Sequence, residues 1–154
     1  MGAMTWPVDP QPGEHFSWSE MTRTSTKLLN VPGEAQVRGL ITLCTLVLDP
    51  LREHLGRPIE VRSGYRSPAV NAKVGGASGS VHVQGLAADL KVAGLDAAAL
   101  AREVLASGVP FDQLIWYAPE RGGHIHVGLR TGKPLRGAVM HAPAGSKGYI
   151  LRAP

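Results

Sequence analysis

Apolar residues recur at steps of three and four along residues 31 to 56, which predicts one long helix with an apolar stripe facing the core. Pro32 and Glu34 suit the first turn of this helix, and Gly56 suits its end. Pro50 lacks a backbone N–H, so we expect it to kink the helix or to split it. The stripe consists of Val37, Leu40, Ile41, Cys44, Val47, Leu48 and Leu51.

A second helix is predicted by "LDAAALAREVLASG", residues 95 to 108, and Gly108 suits its end. Its apolar face consists of Leu100, Val104 and Leu105. Two shorter helices are also expected, one early in the chain and one after Pro68. The early helix has Ser17 and Ser19 as alternative N-caps, and Glu20 in its first turn.

Alternating apolar and polar residues predict strands elsewhere in the chain. One strand lies in "PIEVRSGYRS", residues 58 to 67. "VHVQGLAADLKV", residues 81 to 92, is interpreted as two strand segments broken at Gly85. "FDQLIWYA" and "HIHVGLR", residues 111 to 118 and 124 to 130, flank the polar turn "PERGG" and predict a hairpin.

These elements predict one α+β domain, in which helices pack on a small antiparallel sheet. We expect the domain to cover residues 15 to 154, after a flexible, proline-rich arm over residues 1 to 14. The first four residues, "MGAM", resemble in part a remnant of an expression vector. From Thr131 onward the tail is basic and rich in glycine, and its pattern assigns no element.

Composition narrows the possible partners. Of the 154 residues, 44% are apolar and 18% are charged, as in an ordinary globular domain. A net charge of +4 favours an anionic substrate or environment, such as nucleic acid, an acidic membrane or a bacterial wall. The tail lacks a dense run of Lys or Arg with interleaved aromatic residues, as a nucleic-acid interface would have, so no such partner is expected. No apolar run approaches the roughly 18 residues that span a bilayer, so we expect no membrane insertion. Separately, we expect a monomer.

Cys44 is the only cysteine, which excludes an internal disulfide and a thiolate zinc cluster. It lies in "LITLCTLVL", where we interpret it as a small buried apolar residue. No secretory signal is visible, because no basic segment followed by an apolar one opens the sequence.

Three polar residues in apolar, glycine-flanked segments are candidate metal ligands. His124 and His126 are two positions apart on a predicted strand, so their side chains share one face of it. His82 and Asp89 are brought together if the chain bends at Gly85. A catalytic zinc ion usually takes three protein ligands and a water molecule, and His82, Asp89 and His126 would supply that set. The alternative is that these are ordinary polar residues on strands. His15, His54 and His141 lack such surroundings, and we expect them to be surface residues.

The segment "SGYRSPAVNAKVGGASGSVHVQGLAADL", residues 63 to 90, closely resembles the signature of the M15 peptidases. These are the zinc D-Ala-D-Ala carboxypeptidase group, which includes phage endolysins. Their pattern is S-G-Y-R-S-P, then V-G-G, then S-x-H-x-x-G-x-A-x-D, and every fixed position is present. "HFSWSEM" and "FDQLIW" look like further family segments, so the resemblance covers roughly residues 16 to 130.

The resemblance implies a hedgehog/D-Ala-D-Ala-peptidase-like fold. It also implies a Zn²⁺ ion held by His82, Asp89 and His126, with water as the fourth ligand. Arg66 is expected to reach the scissile carbonyl and stabilise the oxyanion, and Ser80 to position the His82 loop by a hydrogen bond.

The catalytic base departs from the family pattern. Many members carry Asp or Glu three residues before the last histidine, where this chain has Gly123. In the wider superfamily the first histidine of an H-x-H pair acts on the water, and His124 fits that role. Glu120, on the predicted turn, is the reserve candidate.

Four other residues of the predicted hairpin have open interpretations. Asp112 and Gln113 either orient a metal ligand or end a strand. Trp116 and Tyr117 either line the cleft or pack in the core.

The activity implied is zinc-dependent hydrolysis of stem or cross-link peptides in bacterial peptidoglycan. The resemblance leaves open whether the enzyme is a D,D-carboxypeptidase or an endopeptidase, and whether it comes from a phage or a bacterium. It would act on the cell wall, outside the cytoplasm or after release by phage lysis. The alternative function is an inactive, zinc-containing module for wall binding or tail assembly, which Gly123 favours.

Overall fold

Six strands form a single sheet in the computed structural model, which describes residues 10 to 154. Their order across the sheet is β1-β2-β4-β3-β5-β6, and all neighbours are antiparallel except β3 and β5, which run parallel. The predicted α+β class is confirmed, and the parallel pair is an addition to the antiparallel sheet expected from the sequence. The strands are β1 (Glu60–Ser63), β2 (Ala87–Lys91), β3 (Gln113–Tyr117), β4 (Ile125–Gly128), β5 (Ala138–Ala142) and β6 (Ile150–Leu151).

Strand register divides the sheet into two faces, which we call the core face and the site face. On the core face Leu90 lies opposite Ile125, and both are fully buried. On the site face Asp89 lies opposite His126, which lies opposite Ile115 on β3. Apolar residues of the helices pack with those of the core face in one cluster. The helices are α1 (Trp18–Met21), α2 (Glu34–Leu43), α3 (Asp49–Leu55), α4 (Pro68–Lys73) and α5 (Ala97–Ser107).

Pro50 is accommodated by a change in helix type. A π-helical segment, Cys44–Leu48, joins α2 to α3, so that the N–H of Asp49 reaches back five residues to the oxygen of Cys44. The wider turn absorbs the proline that has no N–H to donate. Most of the predicted stripe is buried, but Ile41 is 40% exposed and faces solvent, contrary to prediction. A left-handed Gly56 (φ 63°) ends α3, as expected.

The second predicted helix is α5, and it ends at a left-handed Gly108 (φ 74°) as predicted. Its N-cap is Asp96, whose carboxylate accepts a hydrogen bond from the N–H of Ala99 at 2.7 Å. Leu100 and Val104 are buried. Leu105 is 43% exposed, so its placement on the apolar face was wrong.

Residues 81 to 84 correct the strand prediction for this stretch. They form a 3-10 helix, not a strand, and only the part after Gly85 becomes β2. Ser80 caps this turn by accepting a hydrogen bond from the N–H of His82, the positioning role predicted for it. Gly39 of α2 packs against the turn so closely that an added Cβ would lie 2.5 Å from the oxygen of Gln84. The close helix contact fixes the turn that carries His82.

Residues close to both ends of the described range, 10 to 154, contribute to the fold. Residues 1 to 9 of the predicted arm lie outside the described residues. Further along the arm, the side chain of Gln11 accepts a hydrogen bond from the N–H of Trp18, and the N–H of Glu14 donates to Asp49. The first helix, α1, is capped by Ser17, the first of the two predicted alternatives. Strands β5 and β6 lie in the tail that the sequence left unassigned.

His141 is a further correction, because it is only 8% exposed and lies on the core face. Its ring stacks on Trp116 of β3 at 3.7 Å between ring centroids. His15 and His54 are exposed, as predicted, and Cys44 is buried. Among residues 10 to 154, every helix is too short or too polar to cross a lipid bilayer.

Candidate metal centre

Three predicted ligands meet on the site face of the sheet. His82 comes from the 3-10 turn before β2, Asp89 from the middle of β2 and His126 from β4. Nε2 of His82, Oδ1 of Asp89 and Nδ1 of His126 lie 3.2 Å from one another in all three pairs. All three residues are buried.

This spacing fits a zinc ion. Ligand atoms about 2.0 Å from zinc in a tetrahedral site lie about 3.3 Å apart. The tautomer of His82 agrees, because its Nδ1 lies 2.8 Å from the oxygen of Gly64, which can only accept. Nδ1 therefore carries the proton, and Nε2 offers a lone pair to the centre. The residues present supply the donor set and the geometry that zinc requires.

His126 faces the other two donors with Nδ1, and its second ring nitrogen has no partner in the described part of the chain. Its Nε2 is buried and has no hydrogen-bond partner among residues 10 to 154. In the neutral ring one nitrogen is protonated and the other is not, so the protein alone leaves one of the two unsatisfied. A cation on Nδ1 would fix the tautomer and hold the ring.

Electrostatics keep Asp89 ionised. Burial acts to raise the pKa of Asp89, but the neighbouring imidazoles of His82 and His126 outweigh it and hold the pKa well below its ordinary value. Burial also lowers the pKa of His126, which favours its neutral, metal-binding form. A metal ion binds imidazole in its neutral form, so with a metal bound the carboxylate and the two imidazoles would form a net negative donor set for a divalent cation.

Arg66 lies beside this centre with its guanidinium held on three sides. Nη2 donates to Oδ2 of Asp89 at 3.0 Å, Nε to Oγ of Ser63 at 3.0 Å, and Nη1 to Oδ1 of Asn71 at 3.3 Å. The buried Asn71 also donates to the oxygen of Ala77, which ties the following loop to the same network. Sequence reasoning missed Asn71, because a single polar residue in a short helix gives no signal of burial.

His124 lies just before β4, next to the ligands. Its Nε2 is 4.0 Å from Oδ2 of Asp89, and its ring stacks on Tyr117 at 4.2 Å. Burial lowers the pKa of His124, which favours the neutral form of its ring. Glu120 is exposed on a 3-10 turn, Pro119–Arg121. Gly123 has a positive φ of 62°, a backbone conformation that disfavours the acidic residue many family members carry there.

A cleft of about 390 Å³ opens on the ligands. Tyr117, Asp112 and Gln113 of the predicted hairpin line it, whereas His124 and Glu120 do not. Trp116 lies on the opposite face of the sheet. The cleft is lined by Arg66, Gly75, Gly76, Ala77, Gly79, Ser80, Val81, His82, Asp89, Asp112, Gln113, Ile115, Tyr117, His126, Gly128, Leu129, Arg136 and Tyr149.

Asp112 forms its hydrogen bonds and ion pairs with arginine residues and not with one of the candidate metal ligands. Its carboxylate accepts from Nε and Nη2 of Arg136, at 3.1 and 2.7 Å, and from the N–H of Arg136 at 3.0 Å. Arg130 adds a contact at 3.6 Å. The hydrogen bonds from Arg136 lower the pKa of Asp112. Asp112 therefore anchors the start of the tail to the sheet.

Asp112→Asn is expected to lower the free energy of unfolding at pH 7 by about 1 kcal/mol, since Asn keeps one acceptor and loses the charge. A lowered folded-state pKa contributes stability above the unfolded value of about 3.9, and this contribution is lost as the pH falls through the folded pKa. The difference in free energy of unfolding between wild type and variant should become smaller below about pH 4. Urea unfolding of both proteins between pH 3 and 7 measures this difference. A difference that grows on acidification would contradict the pairing of Asp112 with Arg136.

Comparison with known proteins places all three ligands inside a matched region. The family model for peptidase M15 matches residues 14–128. The zinc D-Ala-D-Ala carboxypeptidase of Streptomyces albus G is 31% identical over 124 residues, which are 77% of this chain and 47% of that protein. The chain thus spans about half the length of the curated relative it matches.

Proposed function

The chain belongs to the M15 peptidase family, and from this premise we propose that it is a zinc-dependent hydrolase of peptide bonds in bacterial peptidoglycan. The observation that carries the proposal is the set of three buried donor atoms, each 3.2 Å from the others, at the wall of an open cleft. His82, Asp89 and His126 would hold the zinc ion. The open cleft leaves room for a substrate beside them.

Zinc, when bound, would activate a water molecule as the nucleophile and polarise the scissile carbonyl. The protein's part is to fix the ligands. Gly64 fixes the ring of His82 through its Nδ1, and Arg66 fixes the carboxylate of Asp89 through Oδ2. Such outer contacts hold a metal site in a single geometry.

Arg66 would stabilise the negative charge that develops on the carbonyl oxygen. A guanidinium has five N–H donors, and three of those of Arg66 are used by Ser63, Asn71 and Asp89. Two N–H donors of Arg66 remain, and Arg66 lines the cleft. Because the other three bonds hold the group in place, it needs no rearrangement when charge develops.

His124 would accept the proton of the attacking water and pass it to the leaving amine. It stands 4.0 Å from the outer oxygen of Asp89, and stacking on Tyr117 orients its ring toward the centre. Glu120 remains the reserve candidate for this role, from its exposed position on the turn.

The substrate proposed is a stem or cross-link peptide of the bacterial wall. The relative from Streptomyces albus G is named for its action on D-Ala-D-Ala, so a D-alanyl-D-alanine bond is the first candidate. The net charge of +4 suits an anionic polymer outside the cytoplasm. A phage lysin and a bacterial wall-remodelling enzyme are both consistent with this substrate.

One observation favours the second function, an inactive zinc-containing module for wall binding or tail assembly. Gly123 stands where many relatives carry an acid, and glycine has no side chain that could act on water. If His124 does not replace that acid, the site can bind metal without catalysing hydrolysis.

Mass spectrometry of purified muropeptides tests the proposal. Zinc-loaded protein is expected to release products, and protein treated with a chelator is not. The mass of each product identifies the bond and separates a carboxypeptidase, which removes one terminal residue, from an endopeptidase, which splits a cross-link. Unchanged muropeptides after incubation with zinc-loaded protein, from several wall types, would favour the inactive module.

A further inference from the structure

Part of the cleft wall comes from the C-terminal segment, residues 129 to 154, which lies outside the stretch matched by the family model. Leu129, Arg136 and Tyr149 of this segment line the cleft together with the ligands. Arg136 is engaged by Asp112, and Leu129 is apolar. Tyr149 is therefore the uncharged polar residue that this part of the wall presents to a bound peptide.

Arg121 holds Tyr149 in place. Its Nη1 donates to the oxygen of Gly148 at 2.6 Å, and its Nη2 to the oxygen of Lys147 at 3.2 Å. Its guanidinium also lies 5.4 Å from the centroid of the Tyr149 ring and 5.5 Å from that of Tyr117. These contacts tie the loop before β6 to the turn after β3, so the aromatic ring is positioned before any ligand binds.

The hydroxyl of Tyr149 accepts a hydrogen bond and keeps its own proton for another partner. Tyr117 donates to it at 3.2 Å. Burial raises the pKa of Tyr117 and the bond to Tyr149 raises it further, so the Tyr117 hydroxyl stays protonated. Among residues 10 to 154, no group accepts a hydrogen bond from the Tyr149 hydroxyl. The residue is 48% exposed. A hydroxyl that accepts one bond becomes a better donor in the next.

We propose that Tyr149 is a substrate-contacting residue whose hydroxyl donates a hydrogen bond to a main-chain carbonyl oxygen of a peptide bound in the cleft. The class of ligand rests on the proposed peptidase function. Tyr149 contacts Tyr117, and Tyr117 stacks on His124, so Tyr149 lies two contacts away from the proposed proton acceptor. The contact thus falls on a peptide residue beside the scissile bond and sets affinity more than the rate of the chemical step.

Two single-atom variants of the zinc-loaded full chain test the proposal. Tyr149→Phe removes the donor and keeps the ring. Tyr65→Phe is the matched control, because it removes the same atom from a buried tyrosine that does not line the cleft. The probes are an acyl-D-alanyl-D-alanine peptide and its uncleavable analogue, in which CH₂–NH replaces the terminal peptide bond.

Tyr149→Phe is expected to raise KM for the peptide about 3- to 10-fold, with kcat within about 2-fold of wild type. Its Kd for the uncleavable analogue, measured by calorimetry, should rise by the same factor. Tyr65→Phe should stay within about 2-fold of wild type in both measurements, since the Tyr149 donor to the substrate remains.

Three outcomes would overturn the assignment of Tyr149. They are equal losses in the two Phe variants, unchanged KM and Kd in Tyr149→Phe, and a wild type that fails to bind the analogue. A wild type that binds the analogue but cleaves no peptide would refute the proposed hydrolysis instead. In that case the Kd ratio of Tyr149→Phe to wild type still decides whether Tyr149 contacts the peptide.

Discussion

His126→Ala is expected to lose stoichiometric zinc binding and, with it, all peptide hydrolysis. Nδ1 of His126 lies 3.2 Å from the donor atoms of both His82 and Asp89, so its loss opens one corner of the site. Loss of a ligand should cost more than the roughly 10- to 100-fold in affinity that loss of an outer-shell partner costs. Zinc content per chain after dialysis, and muropeptide products by mass spectrometry, measure the two effects.

His141→Ala is a matched control for this variant. His141 and His126 are each 8% exposed, but His141 lies on the core face, stacked on Trp116. Its removal creates a similar cavity and should leave one zinc ion per chain. Zinc retained in His126→Ala would refute the site, and equal zinc loss in both variants would point to general unfolding, which circular dichroism detects.

His124→Ala is expected to reduce kcat by about 100- to 10,000-fold while zinc content stays at one ion per chain. The reason is that His124 is proposed to move the proton of the attacking water without being a ligand, at 4.0 Å from Oδ2 of Asp89. Zymography on bacterial walls shows the loss as absent clearing, and peptide kinetics give its size.

Glu120→Gln is the companion variant, and we expect it to clear walls like wild type. Clearing by His124→Ala at the wild-type level would exclude His124 as the proton acceptor. Lost clearing in Glu120→Gln alone would transfer the role to Glu120. Lost zinc in His124→Ala would instead make His124 part of the metal site.

The convergence of His82, Asp89 and His126 was predictable because it depends on local rules. The two-residue period of a strand places His126 on the face opposite Ile125 and Val127, both fully buried. The bend that returns the chain from His82 to Asp89 was also predicted at Gly85. Its form was not, because V-H-V has the alternation of a strand, while the cap at Ser80 and the left-handed Gly85 select a 3-10 turn.

Other features depend on contacts between distant segments, which no local pattern encodes. His141 is polar and lies in a stretch whose pattern assigns no element, yet parallel pairing with β3 places it on the core face. The contact of Tyr149 with Tyr117 likewise joins residues 32 positions apart. The sequence therefore predicted the metal centre better than the cleft around it.

The parallel pairing of β5 with β3 also governs how the protein behaves when it is shortened. With β5 removed, the backbone groups along one side of β3 would face solvent as an unprotected edge and offer a template to other chains. Trp116 would lose the ring of His141 that now covers it. A fragment cut at residue 128, where the family match stops, would carry every metal ligand and still be prone to aggregation.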